Sequence, residues 1–419
     1  MTTAYPIPAT TPLSAFGSID VTDARFKADP FPFYARLRAE APVFPVTIRL
    51  RGNQRAWLVT RYDDVISVLK DDRRFVKDRR NAMTPEQLKR APRLPRMFAS
   101  LERGLLSLDG ADHNRLRALV HKAFTPRMVE QMRDQTQAVA EAALDRAERT
   151  GRMELISEFA LPVPLTIIGR MLGVPEHDHA KFSRWTRAFV SIGASSNPIF
   201  GIPSILRFMG YLRRLIKTRR TQPKDDLISA LVKAQERDDQ LTDDEALAMI
   251  FLLLSAGHET TVNLIGSGML ALLQHPDQLA RLREEPALIT SAVEELARFV
   301  VPAETATERY AREDVTIAGT TIPKGALVLA VIASANRDPQ HFDNPDALNI
   351  ARENNKHLSF GQGVHYCLGA PLSRLEAQIA IGALIKRAPA LRLNAAPDQL
   401  RWRGGLIVRG LEALPVSFS

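Results

Sequence analysis

The sequence predicts a mainly α-helical protein with small β-sheets, an α+β fold built as one large domain. Three observations carry that prediction. The stretch from Thr242 opens with a capping box, Thr242 followed three residues later by Glu245, and continues as Ala246-Leu247-Ala248-Met249-Ile250-Phe251-Leu252-Leu253-Leu254. It is apolar on every side, which marks a helix running through an interior. Short runs such as Ala56-Trp57-Leu58-Val59-Thr60 and Val315-Thr316-Ile317, bounded by turn residues, read as strands. No Gly/Ser tract, Pro-rich segment, low-complexity block or internal repeat divides the 419 residues.

Composition narrows the class. Hydrophobic residues make up 45% and charged residues 25%, as in ordinary globular proteins. The segment Met1-Thr2-Thr3-Ala4-Tyr5-Pro6-Ile7-Pro8 lacks the basic and apolar regions of a secretory signal. No charge-free apolar run reaches the roughly 18 to 20 residues of a membrane-spanning helix. The nearest, Ala188 to Leu206, is interrupted by Gly193, Asn197, Pro198, Gly201 and Pro203 and reads as a lid or loop. A cytoplasmic protein without a membrane span is expected. The single cysteine, Cys367, excludes an internal disulfide and Cys-x-x-Cys redox or iron–sulfur sites, so electrons for any redox chemistry come from another protein. The formal net charge of +9 suits an acidic partner, nucleic acid or simply a solvated basic surface. No nucleic-acid motif accompanies it, and no nucleic-acid partner is expected.

Along the chain, residues 1–24 read as an N-terminal arm that packs late or stays mobile, and 25–419 as the single domain. A helix begins behind prolines at Pro30-Phe31-Pro32-Phe33-Tyr34. The strand Ala56 to Thr60 precedes a helix opened by Asp63 and Asp64. From Arg73 to Arg103 the chain is basic and broken by Pro85, Pro92 and Pro95. His113 and Arg117 stand four apart, on one helix face, with Arg115, His121, Lys122 and Arg127 on or near the same segment. Helical patterns follow from Pro126 to about Glu148 and from Ile156 to Leu172. His177 and His179 lack further ligands for zinc and read as surface residues.

The long helix runs to Gln274 on this reading, about 30 residues and about 45 Å. In its middle lies Ala256-Gly257-His258-Glu259-Thr260-Thr261. A glycine, a carboxylate and two hydroxyls inside a buried helix break local rules, and such breaks gather at functional sites. The bland reading is two threonines bonding back to helical carbonyls. Downstream, Glu295 and Arg298 are spaced for an ion pair on one helix face. Val315 to Gly325 reads as a hairpin turning at Pro323-Lys324-Gly325.

Near the C-terminus stands Phe360-Gly361-Gln362-Gly363-Val364-His365-Tyr366-Cys367-Leu368-Gly369. Its glycines allow φ > 0 and close approach to a flat ligand. Pro371 fits the first turn of a following helix, so Cys367 sits just before a helix N-terminus, where a thiolate is favoured. A loop-held thiolate with His365 as a nearby cation suits an iron porphyrin. A buried structural cysteine is the plain alternative.

This run resembles the haem-binding signature of the cytochrome P450 superfamily, soluble bacterial type, at Phe360, Gly363, His365, Cys367 and Gly369. Ala256 to Thr260 is similar to the family's oxygen-activation motif, and the resemblance covers the chain from about Pro30 onward. It implies the P450 fold, with haem b between the long helix and the loop bearing Cys367 as its iron ligand. Phe360, Gly361, Gly369, Ala256 and Gly257 would border the haem. His113, Arg117, Arg309 and His365 would hold its propionates. Glu259 would relay protons, and Thr260 would hydrogen-bond the bound O2. Glu295, Arg298 and Arg352 would form a structural ion-pair cluster. The activity implied is insertion of one atom of O2 into an organic, apolar substrate. A ferredoxin- or flavodoxin-type donor would supply electrons, docking near Arg115, His121, Lys122 and Arg127, and the enzyme would be a monomer. The alternatives are a non-catalytic haem sensor, which needs no acid and alcohol pair, and a zinc protein using Cys367, His357 and His365. Val300 to Thr305 is expected to line the pocket, with Glu304 an unexplained carboxylate there.

Overall fold

The computed structural model describes residues 11–49, 53–91, 103–182, 184–185, 202–234 and 241–418. Helices dominate, and the longest is Asp243–Gln274, 32 residues, with both hydrogen bonds of the Thr242–Glu245 capping box in place. It is long and apolar enough to cross a membrane, but 67% of its most apolar stretch is buried inside the fold. It is an interior helix, as its all-round apolar character predicts.

The strands, in chain order, are β1 (Val43–Ile48), β2 (Gln54–Val59), β3 (Phe75–Val76), β4 (Arg152–Glu154), β5 (Arg309–Ala311), β6 (Val315–Ile317), β7 (Thr320–Ile322), β8 (Leu327–Ala330), β9 (Arg392–Leu393) and β10 (Pro415–Ser417). The main sheet has the order β1-β2-β8-β5-β3; β2 runs parallel to β8, and its other pairs are antiparallel. A small sheet, β4-β10-β9, joins the C-terminal end of the chain to the middle. The β6–β7 hairpin does not turn at Pro323-Lys324-Gly325. Thr320 pairs with Ile317, leaving Ala318 and Gly319, both at positive φ (47° and 77°), as the two-residue turn. Two positive φ values match the twist of a tight hairpin better than a proline turn does.

Three apolar clusters fill the interior. One gathers around the main sheet and the first helices. A second takes the central helix up to Leu254, with the segments 105–129 and 165–232. A third takes the same helix from Val262 onward, with Ile289–Val300 and much of Ala370–Arg387. Residues 256–261 lie between the second and third clusters, on the stretch of helix that neither one claims.

Of the two expectations for the N-terminal arm, packing or mobility, residues 11–24 show packing. Phe16, Ile19 and Val21 are buried, and Phe16 stacks on Phe33 with ring centroids 4.8 Å apart. An aromatic pair of this kind anchors the segment. The expected lid from Ala188 to Leu206 lies mostly outside the described residues; its last residues open the helix Ile202–Thr221.

Candidate active site

The loop around Cys367 is shaped by two left-handed glycines, Gly361 (φ 71°) and Gly363 (φ 74°). A Cβ on Gly363 would stand 2.6 Å from the carbonyl oxygen of Leu69, so glycine is required there by contact as well as by φ. Gly369 is not left-handed; it caps the helix Ala370–Arg387 at φ −81°, and its missing Cβ leaves room beside the sulfur, 4.0 Å away. The amide of Cys367 donates to the carbonyl of Phe360 at 2.8 Å and closes the loop, while its side chain stays solvent-accessible.

Although the side chain is reachable by solvent, the protein atoms packed around the sulfur desolvate it and push the Cys367 thiol up from its ordinary value, and the amides of Gly369 and Ala370 with the charges of Arg117 and Arg374 oppose this without cancelling it. The helix terminus alone therefore does not make a thiolate. A coordinated metal ion does, because it displaces the thiol proton.

On one flank of the loop the structure gathers cations. The His113 and His365 rings are 4.2 Å apart, Arg117 donates from Nη2 to the carbonyl of Tyr366 at 2.6 Å, and Arg309 donates to the carbonyl of Thr307 at 3.1 Å. Lys77 joins them, donating from Nζ to Thr307 Oγ1 and to the carbonyl of Glu308. Sequence reasoning missed Lys77, which follows a two-residue strand and belongs to no spacing pattern. Burial, then Lys77, His113, Arg309 and Arg117, hold His365 neutral with a pKa of about 2, so it is not the cation expected beside Cys367. Burial lowers Arg309 to about 10 and pulls Lys77 well below its ordinary value, with Arg309 adding to the latter. His113 Nε2 and His365 Nδ1 are buried without a hydrogen-bond partner. Mutually repelling cations and orphaned imidazole nitrogens fit an anion, and the two carboxylates of a porphyrin answer both features.

The central helix is continuous through 256–261 and meets the helix that follows Cys367 at Thr261, whose Oγ1 hydrogen-bonds Ser373 Oγ at 3.1 Å. Gly257 faces open space, with no atom within 4 Å of where a Cβ would be. Both threonines do bond back: Thr260 Oγ1 donates to the Ala256 carbonyl at 3.0 Å, and Thr261 Oγ1 to that of Gly257 at 3.2 Å. The Thr260 hydroxyl thus keeps its lone pairs free to accept. Burial raises the pKa of Glu259, against the pull of Arg403, and favours a carboxyl that carries a proton.

Glu295 and Arg298 meet as their spacing suggested, and Arg352, which the resemblance implied, joins them. Arg298 holds both oxygens of Glu295 at 2.7 Å, and Arg352 Nε adds contacts at 3.1 and 3.2 Å. Glu295 and Arg298 are fully buried. Arg298 also donates to the carbonyls of Asn336, Pro345 and Ala347. From there the order passes to the loop: Asn336 receives the amide of Leu358 at 2.8 Å and donates to Ser359 Oγ at 2.8 Å, one residue before Phe360. A second clamp went unseen in the sequence. Arg374 pairs with Glu294, lies 4.2 Å from the centroid of Phe360 and donates to Tyr366 Oη.

Other expectations fare differently. Arg115 is paired with Glu245 and is not a free docking cation, whereas His121, Lys122 and Arg127 are exposed. Glu304 is no pocket carboxylate: it is buried against Lys27 Nζ at 3.0 Å and accepts from Tyr34 Oη. His357 is spent on Glu294 and on the amide of Ser359, and no three His, Cys, Asp or Glu side chains converge among the described residues, so the zinc reading has no site.

A solvent-accessible thiol on a glycine-shaped loop, flanked by mutually repelling cations and orphaned imidazole nitrogens, fits a flat dicarboxylate that brings its own metal. This is the class of haem proteins. The family model for cytochrome P450 matches residues 204–388. The polyketide biosynthesis cytochrome P450 PksS of Bacillus subtilis is 43% identical over 94% of this chain and 97% of its own length. The cytochrome P450 monooxygenase PikC of Streptomyces venezuelae is 45% identical over 93% and 91%. The solved structure of PksS superposes with a TM-score of 0.88, covering 96% of this chain and 100% of that one at 42% identity. The chain belongs to the cytochrome P450 family: it is a haem-b monooxygenase that uses O2, an organic substrate and electrons from a separate redox partner.

Proposed function

We propose that Cys367 would supply the thiolate ligand of the haem iron, that His113, Arg117, Arg309, His365 and Lys77 would hold the haem propionates, and that Glu259 and Thr260 manage protons on the oxygen side. Ala256, Gly257, Phe360, Gly361 and Gly369 border the haem, while Glu295, Arg298 and Arg352 hold the loop in register. The haem, when bound, supplies oxygen activation, and a thiolate ligand favours O–O cleavage. The observation that carries this reading is the loop itself: every clamp described above converges on residues 358–367, around the only cysteine of the chain.

The chain's own residues divide the remaining work. Glu259, whose pKa burial raises against the pull of Arg403, gives a proton from its carboxyl toward the Thr260 hydroxyl, which accepts through its free lone pairs and donates onward once it leaves the Ala256 carbonyl. The name of PksS points to polyketide biosynthesis, and we infer as substrate an apolar compound of that kind, undergoing hydroxylation or epoxidation. A ferredoxin- or flavodoxin-type donor docks beside exposed Tyr366, with His121, Lys122 and Arg127 offering charge to an acidic surface. The enzyme acts as a cytoplasmic monomer.

Cys367→Ala tests the reading. The variant is expected to lose the thiolate-type spectrum of the reduced CO complex while keeping the helical content of the fold. Retention of that spectrum overturns the ligand assignment.

A further inference from the structure

Glu259 has one charged neighbour that nothing in the sequence announces. Arg403 places Nη1 4.0 Å from Glu259 Oε1, and both side chains are about a quarter exposed, 24% and 22%. The pair therefore stands at the boundary between interior and solvent. Arg403 has no other carboxylate within ion-pair reach among the described residues.

The segment 402–411 that carries Arg403 is fixed on three sides. Trp402 bridges to Leu411, and the amide of Arg403 donates to the carbonyl of Gly410 at 2.9 Å. Gly405 donates to the carbonyl of Thr22 at 2.9 Å, Arg409 to that of Pro302 at 3.0 Å, and Glu304 to that of Ile407 at 2.7 Å. Against the central helix the fit is closer still: a Cβ on Gly410 would fall 2.0 Å from Asn263 Oδ1, one helical turn past Glu259. The backbone of Arg403 is thereby held beside residue 259, and only its side chain is free to move.

Among the charged or titratable groups near Glu259, Arg403 is the one that acts on it. His258, on the same helix, gives its Nδ1 to the Leu254 carbonyl and is kept neutral by burial, with Arg403 adding to that effect. For Glu259, burial favours the neutral acid and Arg403 favours the carboxylate. A separation of 4.0 Å is too long for a hydrogen bond and short enough for strong attraction at a partly screened site. Small side-chain rotations therefore decide which form prevails.

We propose that Arg403 is the positioning residue for proton delivery through Glu259, holding the carboxylate at the solvent edge for reprotonation and releasing the neutral acid toward Thr260. The inference rests on the reading of Glu259 as the relay acid. In each transfer the Oε–H bond of Glu259 breaks, its electron pair stays on the carboxylate, and the proton passes to the oxygen side. A solvent proton then restores the acid, and no electron moves in the relay.

The test compares Arg403→Gln, Arg403→Lys, Glu259→Gln and the double variant Arg403→Gln/Glu259→Gln. The infrared carbonyl band of the Glu259 carboxyl, assigned by its loss in Glu259→Gln, is titrated in the purified protein. It should persist to higher pH in Arg403→Gln and return to the wild-type position in Arg403→Lys. Product formed per reductant consumed should fall several-fold in Arg403→Gln, with peroxide rising, substrate affinity unchanged and Arg403→Lys restoring the ratio. The double variant should couple no worse than Glu259→Gln alone. An unmoved carboxyl band in Arg403→Gln overturns the inference, whether coupling falls or not, because a fall alone marks a structural role. If Glu259→Gln itself couples as the wild type does, the relay reading fails and this inference with it; if only Glu259→Gln uncouples, this inference alone fails.

Discussion

Arg374 and Glu294 form a two-pronged ion pair, 2.7 Å from Nε and 2.9 Å from Nη2, that ties the helix following Cys367 to the helix Ile289–Val300. Burial pushes the Glu294 carboxyl up, but hydrogen bonds from Arg374 and His357 outweigh it and hold the pKa at about 2. A carboxyl depressed in the folded state stabilises above its unfolded value, near 4.5, and loses that contribution as pH falls toward 2.

Glu294→Gln should therefore lower stability at pH 7 and flatten its acid dependence. Urea unfolding midpoints at pH 7 and pH 3 check this. The gap between wild type and variant should narrow at the lower pH, and a gap independent of pH would contradict the ion-pair account.

Gly363→Ala meets both a positive φ and the Leu69 carbonyl. The φ penalty alone is about 1 kcal/mol and the backbone contact adds to it. The loop is expected to shift, with haem-to-protein ratio and melting temperature both falling. Gly361→Ala has the same φ but its nearest contact is 3.8 Å away, so it should be the milder change.

Lys77→Met separates haem binding from folding. The lysine is buried among cations, so removing it should leave the haem-free protein as stable or more so. Losing one charge-assisted contact costs about 1.5 to 3 kcal/mol, which should speed haem transfer to apomyoglobin roughly 10- to 100-fold. Equal destabilisation of the haem-free and haem-bound forms would refute the assignment.

Thr260→Ala should leave substrate affinity and the CO spectrum intact while product formation drops about 10²-fold, the usual scale for a proton-transfer group. Parallel measurement of peroxide and reductant consumption distinguishes a lost relay from slow electron delivery, since only the former raises peroxide per electron.

Features written locally were legible in the sequence. The capping box of Thr242 and Glu245, the unbroken apolar face behind it and the spacing of the Cys367 loop each lie within a few residues, and each is present in the structure. What stayed hidden depends on chain segments meeting from afar. Arg374 and Glu294 are 80 residues apart, and Lys77 reaches Thr307 across 230. Arg403 meets Glu259 only because a C-terminal excursion is pinned to the central helix. The packing of Phe16 was likewise invisible, since one aromatic in a Thr- and Pro-rich stretch carries no periodicity. Arg115 and Glu304 misled for the reverse reason: their partners, Glu245 and Lys27, come from other elements.

The central helix belongs to two separate apolar clusters, with residues 256–261 between them. This partition has an evolutionary corollary. Among the described residues, the cluster built from 105–129 and 165–232 reaches the helix behind Cys367 only through Leu372, Leu375 and Ile379, so substitutions in those two segments away from that contact leave the cluster after Val262 in place. A lineage can therefore explore new molecular shapes in one half of the protein while the oxygen chemistry, inherited with the other half, stays constant.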